Sequence, residues 1–210
     1  MSVIILVLFA AIAIGISILV ERKRAPVKEP ERATVKVPAS WQGIFVHPGH
    51  SWVKVLQPSL VSVGADEFTN SVFGSVRELK LPEKGAMIHQ GEKIWSLKRG
   101  KRELVQATPI TGRVVEVNRA VIENPKLLAE KDLEKSWLLR VQPAGLKRQL
   151  QNLLSGNVLT RWNQAVKEQL VAVLGMAGSP VLQDGGEIAP DLGDKLTDQQ
   201  WQKAKREFFK

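Results

Sequence analysis

The sequence predicts a mainly β protein, in which a sandwich or flattened barrel is preceded by one N-terminal transmembrane helix and followed by C-terminal helices. Three observations lead to this prediction. Residues 3–20 form an apolar run without a charged residue, residues 43–143 contain short apolar runs separated by Gly and Pro, and the apolar spacing becomes helical after Gly145. Many short strands at regular spacing favour a sandwich or barrel over a βαβ fold.

The N-terminal apolar run is typical of a membrane anchor. It contains no charged side chain and no Pro, and a helix of this length roughly spans the hydrocarbon core of a bilayer. A cleaved signal peptide would need basic residues before the run and small residues after it. Here nothing basic precedes Val3, and Glu21 and three basic residues follow Val20. We therefore predict a transmembrane anchor at residues 1–21.

The charges that follow the anchor predict its orientation. Arg22, Lys23, Arg24 and Lys28 lie on its C-terminal flank, and the positive-inside rule places such a flank in the cytoplasm. Residues 22–42 mix these cations with acidic residues and Pro, which predicts a basic, Pro-containing linker. The expected protein is a single-pass protein of the inner (cytoplasmic) membrane, with its soluble part facing the cytoplasm.

The central part of the chain is predicted to form the β domain. Apolar runs bounded by turn residues predict strands at residues 43–46, 51–56, 60–63, 75–80, 93–97, 103–107, 113–117 and 137–141. Residues 65–72 lack strict alternation, so we predict a short helix there that crosses the sheet.

Residues 92–105 are predicted to form a hairpin with a charged tip. Two apolar arms flank the sequence Lys98-Arg99-Gly100-Lys101-Arg102. Four cations in five residues cannot be buried without a prohibitive desolvation cost, so we predict that the tip is solvated. A Lys on such a tip is accessible to a modifying enzyme. The same tip also fits a soluble hairpin end that resists edge pairing.

Helices are predicted after Gly145. An apolar stripe covers residues 146–154, and a second stripe predicts an amphipathic helix at residues 156–174, which we expect to pack on the β domain. Residues 175–210 are predicted to be a C-terminal extension with a terminal helix. That helix begins with the capping-box pattern of Thr197 and Gln200, and its apolar residues, Trp201, Phe208 and Phe209, are expected to dock on the body of the protein.

An ordered set of short motifs resembles the glycine cleavage system H protein family. The motifs are His-Ser-Trp-Val at residues 50–53, Val-Gly-Ala-Asp-Glu-Phe at 63–68, Phe-Gly-Ser-Val at 73–76, Leu-Pro-Glu-Lys-Gly at 81–85, Thr-Pro-Ile-Thr-Gly-Arg-Val-Val-Glu-Val-Asn at 108–118, Asn-Pro-Lys-Leu-Leu at 124–128 and Ser-Trp-Leu at 136–138. The similarity covers roughly residues 47–154. It implies that residues 43–155 form an H-protein-like lipoyl domain of the hammerhead or flattened barrel-sandwich type.

The resemblance also implies a function and a covalent cofactor. H proteins carry lipoic acid on one Lys at a hairpin tip and shuttle an aminomethyl group between the enzymes of glycine cleavage. A gap-free count from Gly91 to the Pro109 turn places that Lys at Lys101. The implied partners are a lipoyl ligase and glycine-cleavage-type enzymes, and the protein itself is expected to be non-catalytic. The surroundings differ, since the family shows Glu-Ser-Val-Lys-Ala where this chain has Lys98-Arg99-Gly100-Lys101-Arg102.

Two other functions remain open at this point. An unlipoylated H-like scaffold, or docking module for a membrane-associated complex, fits the reversed charge around Lys101. A nucleic-acid binder that uses the same basic tip would bind with a strong salt dependence. However, no aromatic stacking platform accompanies the cations, so we expect no nucleic-acid partner.

The sequence offers no pattern for a catalytic or a metal site. It contains no Cys, which excludes disulfides, thiolate metal ligands and thiol nucleophiles. His47, His50 and His89 lie in no metal-protease or triad pattern. We expect His47 and His50 to be packing or strand-edge residues.

Overall fold

The computed structural model describes residues 37–175, 187–189 and 192–209. The predicted anchor at residues 1–21 and most of the predicted linker lie outside these ranges. Among the described residues, no helix is both long enough and apolar enough to cross a bilayer.

The described ranges form two antiparallel sheets and several helices. The strands are β1 (Ile44–His47), β2 (Ser51–Gln57), β3 (Leu60–Ala65), β4 (Glu78–Lys80), β5 (Met87–Ile88), β6 (Lys93–Arg99), β7 (Arg102–Ala107), β8 (Gly112–Val117) and β9 (Leu139–Pro143). The helices are α1 (Glu67–Phe73), α2 (Arg119–Glu123), α3 (Leu133–Ser136), α4 (Leu146–Leu150), α5 (Gly156–Leu174), α6 (Leu192–Lys195) and α7 (Asp198–Phe208), with 3-10 turns at Ala39–Trp41 and Pro125–Ala129.

The larger sheet has six strands in the order β1-β2-β3-β9-β8-β5. Its centre is built from β-branched residues, which suit a pleated, buried surface. Val53 lies opposite Val63 in the β2–β3 pair, and Val61 lies opposite Val141 in the β3–β9 pair. All four side chains are fully buried, so this face of the sheet forms the core of the domain.

The smaller sheet has three strands in the order β4-β6-β7 and carries the predicted hairpin. Trp95, Leu97 and Leu104 point from it into the same core and are almost completely buried. The Trp95 indole N–H donates to Gln106 Oε1 at 3.2 Å, so the buried polar group of the large ring has a partner. The base of the hairpin is therefore held firmly by packing.

The C-terminal helices pack on this β body as predicted. Helix α5 buries Val166, Leu170 and Leu174. Helix α7 begins with the predicted capping box, in which the Thr197 hydroxyl accepts from the Gln200 N–H and the Gln200 side chain accepts from the Thr197 N–H. Its aromatic residues dock on the body, because Trp201, Phe208 and Phe209 are at most 6% exposed.

Several elements differ from the predictions. The predicted strand at residues 75–80 contracts to Glu78–Lys80, because the backbone and hydroxyl of Ser75 bind Asp194 instead. Strand β5 is too short to give an alternating pattern and was missed. Helices α2 and α3 were also missed; each is only four or five residues long and begins at a side-chain cap, Asn118 or Asp132.

Candidate functional site

Lys101 lies in the tight turn that joins β6 to β7. The strands pair as far as Arg99 opposite Arg102, which leaves Gly100 and Lys101 as a two-residue loop. Gly100 has a φ of 54°, a left-handed conformation that Gly adopts without steric cost and that two-residue hairpin turns require. Lys101 is exposed, as the sequence predicted. The hairpin thus projects a single amine at its end.

One face of the hairpin, its outer face, carries a pair of opposite charges. Lys98 and Glu103 lie opposite each other in the ladder, with Nζ and Oε1 3.6 Å apart. Lys98 also lies opposite Glu78 of β4, and the carboxylates of Glu103 and Glu78 raise the pKa of Lys98 against the effect of desolvation. The outer face therefore keeps Lys98 protonated and close to carboxylates.

The other face, the inner face, carries two arginines that bind a distant part of the chain. Because side chains alternate along a strand, Arg99 and Arg102 point away from Lys98 and Glu103. Arg99 binds the Asp194 carboxylate, and its Nη1 lies 3.4 Å from the Gly193 carbonyl oxygen. Arg102 donates to the carbonyls of Gly193, at 2.9 Å, and of Leu196. Residues 192–209, here called the C-terminal segment, thus contact the hairpin beside its tip.

These contacts correct the prediction that the whole tip is solvated. The side chains of Arg99 and Arg102 are only 24% and 12% exposed. Their burial is tolerated because backbone carbonyls and carboxylates accept their N–H groups and balance their charge. Sequence reasoning missed this because the acceptors lie more than 90 positions further along the chain.

Asp194 is the centre of this contact. It accepts hydrogen bonds from the Ser75 N–H at 3.0 Å and from the Ser75 hydroxyl at 2.8 Å, in addition to the contact with Arg99. Burial raises the pKa of Asp194, but the Ser75 hydrogen bonds and the charges of Arg99 and Arg102 outweigh burial and leave that pKa below its ordinary value. The carboxylate is therefore ionised at neutral pH and joins α6 to both the hairpin and the turn after α1.

The buried imidazole is a packing residue, as predicted. His50 is 1% exposed, its Nδ1 lies 2.7 Å from Asp66 Oδ2, and its ring stacks on Phe68 with centroids 4.2 Å apart. His47 Nδ1 accepts the Gly49 N–H at 2.9 Å; burial lowers the pKa of His47, and the nearby His50 lowers it further. Among the described residues, no cluster of three or more His or carboxylate side chains could hold a metal ion.

A groove of about 660 Å³ lies between α1, α5 and the Pro125–Ala129 turn. Four carboxylates line it: Asp66, Glu67, Glu130 and Glu187. Its described lining residues include none from β6 or β7, so the groove and the Lys101 tip are separate features of the surface. No short motif marks the groove, because its residues come from seven of the described elements and from the loops between them.

Comparisons with known proteins agree with the resemblance seen in the motifs. The model of the family described as glycine cleavage H-protein matches residues 45–168, which is more than half of the chain. The glycine cleavage system H protein of Geobacillus sp. strain WCH70 is 34% identical over 119 residues, covering 57% of this chain and 90% of that protein. The H protein of Anoxybacillus flavithermus is 32% identical over 106 residues, covering 50% and 82%.

Solved structures also match this chain. One of them is a glycine cleavage system H protein from Mycobacterium marinum, with 25% sequence identity and a TM-score of 0.46, covering 51% of this chain and 87% of that one. The C-terminal segment lies beyond the residues that the family model matches.

Proposed function

This chain belongs to the glycine cleavage H-protein family, and on that basis we propose that it is a lipoyl carrier with lipoic acid attached to Lys101. The observation that carries the proposal is the position of Lys101. It is an exposed amine in a two-residue turn, at the end of a hairpin whose base is packed into the core. A carrier needs a rigid scaffold and an accessible attachment point, and this hairpin has both properties.

The surroundings of Lys101 fit a covalently attached group. Lipoylation joins the carboxyl group of lipoic acid to Nζ of the Lys as an amide, which removes the positive charge of that Lys. When bound, the lipoyl group supplies a dithiolane on a flexible tether, and its sulfur carries the transferred group. The chain's contribution is to hold the tether. Trp95 and Leu104 fix the strands on either side, and Gly100 makes the turn tight enough to expose the amine.

We infer that the transferred group is an aminomethyl or related group. The support for this is the family and the names of its relatives in Geobacillus and Anoxybacillus, which are glycine cleavage system proteins. The partners of such a carrier are a lipoyl ligase and glycine-cleavage-type enzymes. The reaction chemistry belongs to those enzymes, and this chain presents the arm to them.

We further propose that residues 1–21 anchor the carrier in the cytoplasmic membrane, with the domain on the cytoplasmic side. The support is the apolar run at residues 3–20 and the cations that follow it. An anchored carrier would meet its enzymes at the membrane. Fractionation of host cells tests this: the full chain should sediment with membranes and resist extraction by high salt, whereas recovery in the soluble fraction would contradict the anchor.

Intact mass spectrometry of the full chain from its own host tests the carrier proposal, with peptide mapping over residues 92–105. We expect a lipoyl adduct on Lys101, no adduct in Lys101→Arg, and an adduct that persists in Lys98→Arg. Both substitutions keep the positive side-chain charge. A lost adduct therefore reports the missing amine of Lys101 and not a change in the charge of the tip. An unmodified Lys101 in cells whose other lipoyl proteins are modified would reject the proposal.

The second candidate function is an unlipoylated scaffold or docking module. The observation in its favour is Lys98, which stands where the family motif has Glu, so a ligase that reads an acidic residue there would meet the opposite charge. Arg99 and Arg102 add no evidence for it, because the C-terminal segment engages both side chains. The mass measurement distinguishes the two candidates.

A further inference from the structure

The C-terminal segment packs on α1 with a substantial apolar contact beside the inner face of the hairpin. The apolar side chains that it buries are Leu192, Leu196, Trp201, Ala204, Phe208 and Phe209. Trp201 packs edge-on against Phe73, with ring centroids 5.2 Å apart, and Phe208 packs in the same way against Phe68, at 5.1 Å. The segment therefore belongs to the main core of the domain and is held there by buried apolar area.

The polar contacts of the segment are with the residues that flank the tip of the hairpin. Asp194 binds Arg99, Asp198 Oδ1 lies 3.5 Å from Arg102, and the Arg102 guanidinium lies 5.9 Å from the centre of the Trp201 ring. Arg99 and Arg102 are the residues that bracket the Gly100-Lys101 loop. The segment thus reaches the end of the hairpin on one side of Lys101.

The segment also contacts the free edge of the hairpin at one point. Strand β7 is the edge strand of its sheet, and its outward carbonyls are available to any approaching chain. Lys205 donates to the Glu103 carbonyl oxygen at 2.6 Å, so one of these carbonyls is already bound. A partner can therefore reach Lys101 over the tip and across the outer face, where Lys98 and Glu103 lie.

From this arrangement we propose that the C-terminal segment is a clasp that restricts which enzymes engage Lys101. A ligase or transfer enzyme that must surround the hairpin on both faces is excluded, whereas one that binds the tip from the outer face is accepted. This proposal rests on the proposed carrier function and adds the direction of approach. The residues at positions 99 and 102 support it: the family motif has small residues there, and this chain has two arginines whose side chains reach the clasp.

The test weakens the polar contacts of the clasp with Arg99 and Arg102 and changes no residue of the hairpin. Asp194→Ala combined with Asp198→Ala removes both carboxylates that bind the arginines and keeps the buried apolar residues in place. The single variant Asp194→Asn is a milder version for use if the double variant unfolds. Glu116→Gln is the matched control, because it removes a carboxylate from a surface ion pair with Arg140 on the larger sheet.

Trypsin measures access by a macromolecule independently of lipoylation. We expect cleavage within residues 98–102 of the full chain to be several-fold faster in the double variant than in the parent and in Glu116→Gln. A small acylating reagent, the N-hydroxysuccinimide ester of acetic acid, should modify Lys101 equally in all three, because the amine itself is exposed. Equal trypsin rates, or slow acylation of Lys101 in the parent, would overturn the clasp.

A lipoate ligase of broad substrate range, supplied with lipoic acid and ATP, measures the consequence for modification. Lys101 should be lipoylated several-fold faster in the double variant than in the parent. Equal rates would overturn the clasp and leave the carrier function standing, and slower modification of the folded variant would show that the segment assists the ligase. If neither protein is lipoylated in the host or by the ligase, the carrier function fails, and the trypsin result alone decides whether the clasp restricts access.

Discussion

Asp194 binds the guanidinium of Arg99, which lies 95 positions earlier in the chain and two residues before Lys101. The same carboxylate accepts both hydrogen bonds from Ser75. One side chain therefore holds together the hairpin, the turn after α1 and the start of the C-terminal segment. Because the segment lies outside the residues shared with the family, this contact is a feature of this chain's own extension.

The stabilisation from Asp194 should depend on pH. Its pKa in the folded protein lies below the ordinary value of 3.8, so the folded state favours the ionised carboxylate. This contribution is fully present above the unfolded pKa and is lost as the pH falls through the lowered folded pKa. We expect the stability difference between the parent and Asp194→Asn, measured by urea unfolding, to shrink between neutral pH and pH values below 3.8. Glu116→Gln serves as the control, and a difference that stays constant over this range would contradict the prediction.

Gly193→Ala should loosen the C-terminal segment. A Cβ at this position would lie 2.3 Å from the Gly74 nitrogen and 2.6 Å from the Phe73 carbonyl carbon, and backbone atoms cannot move aside as a flexible side chain can. Ala favours a helix over Gly by about 1 kcal/mol, whereas overpacking costs about 1–3 kcal/mol. We expect net destabilisation in urea unfolding and faster trypsin cleavage at the hairpin. Gln202→Ala, at an exposed position of α7, is the control, and an equal effect of both variants would contradict the close-contact argument.

Trp201 should dominate the apolar part of the same contact. Its side chain is 1% exposed, and replacement by Ala leaves a large cavity, so we expect a loss of about 3–5 kcal/mol in the free energy of unfolding. Trp201→Phe should cost much less, because Trp201 Nε1 has no hydrogen-bond partner among the described residues and Phe leaves no polar group unsatisfied. Urea unfolding followed by circular dichroism measures both. Similar losses for Phe and Ala would contradict this prediction.

Local sequence signals were sufficient to predict the hairpin and its tip. The alternating arms around Lys98–Arg102 and the Gly in the turn are short-range features, and the structure has the strands and the exposed Lys101 where these features predicted them. The capping box of α7 is equally local, since Thr197 and Gln200 are three residues apart. The core strands followed from short apolar runs bounded by turn residues, although β5, with two residues, was too short to predict.

The inner face of the hairpin could not be predicted in this way. Four cations in five residues indicate a solvated surface on average, and only the fold brings Asp194 and the Gly193 carbonyl to Arg99 and Arg102. The carboxylate lies in a four-residue helix that follows a stretch without a clear pattern. Contacts of this kind depend on where two distant segments meet, and the hydrophobic pattern of Trp201 and Phe208 predicted only that the extension docks on the body.

Asp66 should stabilise the domain through two separate contacts. Its Oδ1 accepts the Thr69 N–H at 2.7 Å as the N-cap of α1, and its Oδ2 lies 2.7 Å from Nδ1 of the buried His50. Asp66→Ala removes the cap, at a cost of about 1 kcal/mol, and leaves the His50 ring nitrogen unpaired, at a cost of about 1–3 kcal/mol. Asp66→Asn keeps an oxygen for the cap and an amide for the imidazole, so it should cost less.

The control for Asp66 is Asp132→Ala, which removes a carboxylate that caps α3 by accepting the Glu134 N–H at 2.9 Å and has no imidazole partner. The excess loss in Asp66→Ala over Asp132→Ala, measured by urea unfolding at neutral pH, estimates the contribution of the His50 contact. That contact also reaches the C-terminal segment, because the Phe209 ring lies 5.4 Å from the His50 ring. We therefore expect Asp66→Ala to speed hydrogen exchange at the end of α7 and Asp132→Ala to leave it unchanged. Equal exchange in the two variants would show that His50 does not connect α1 to the segment.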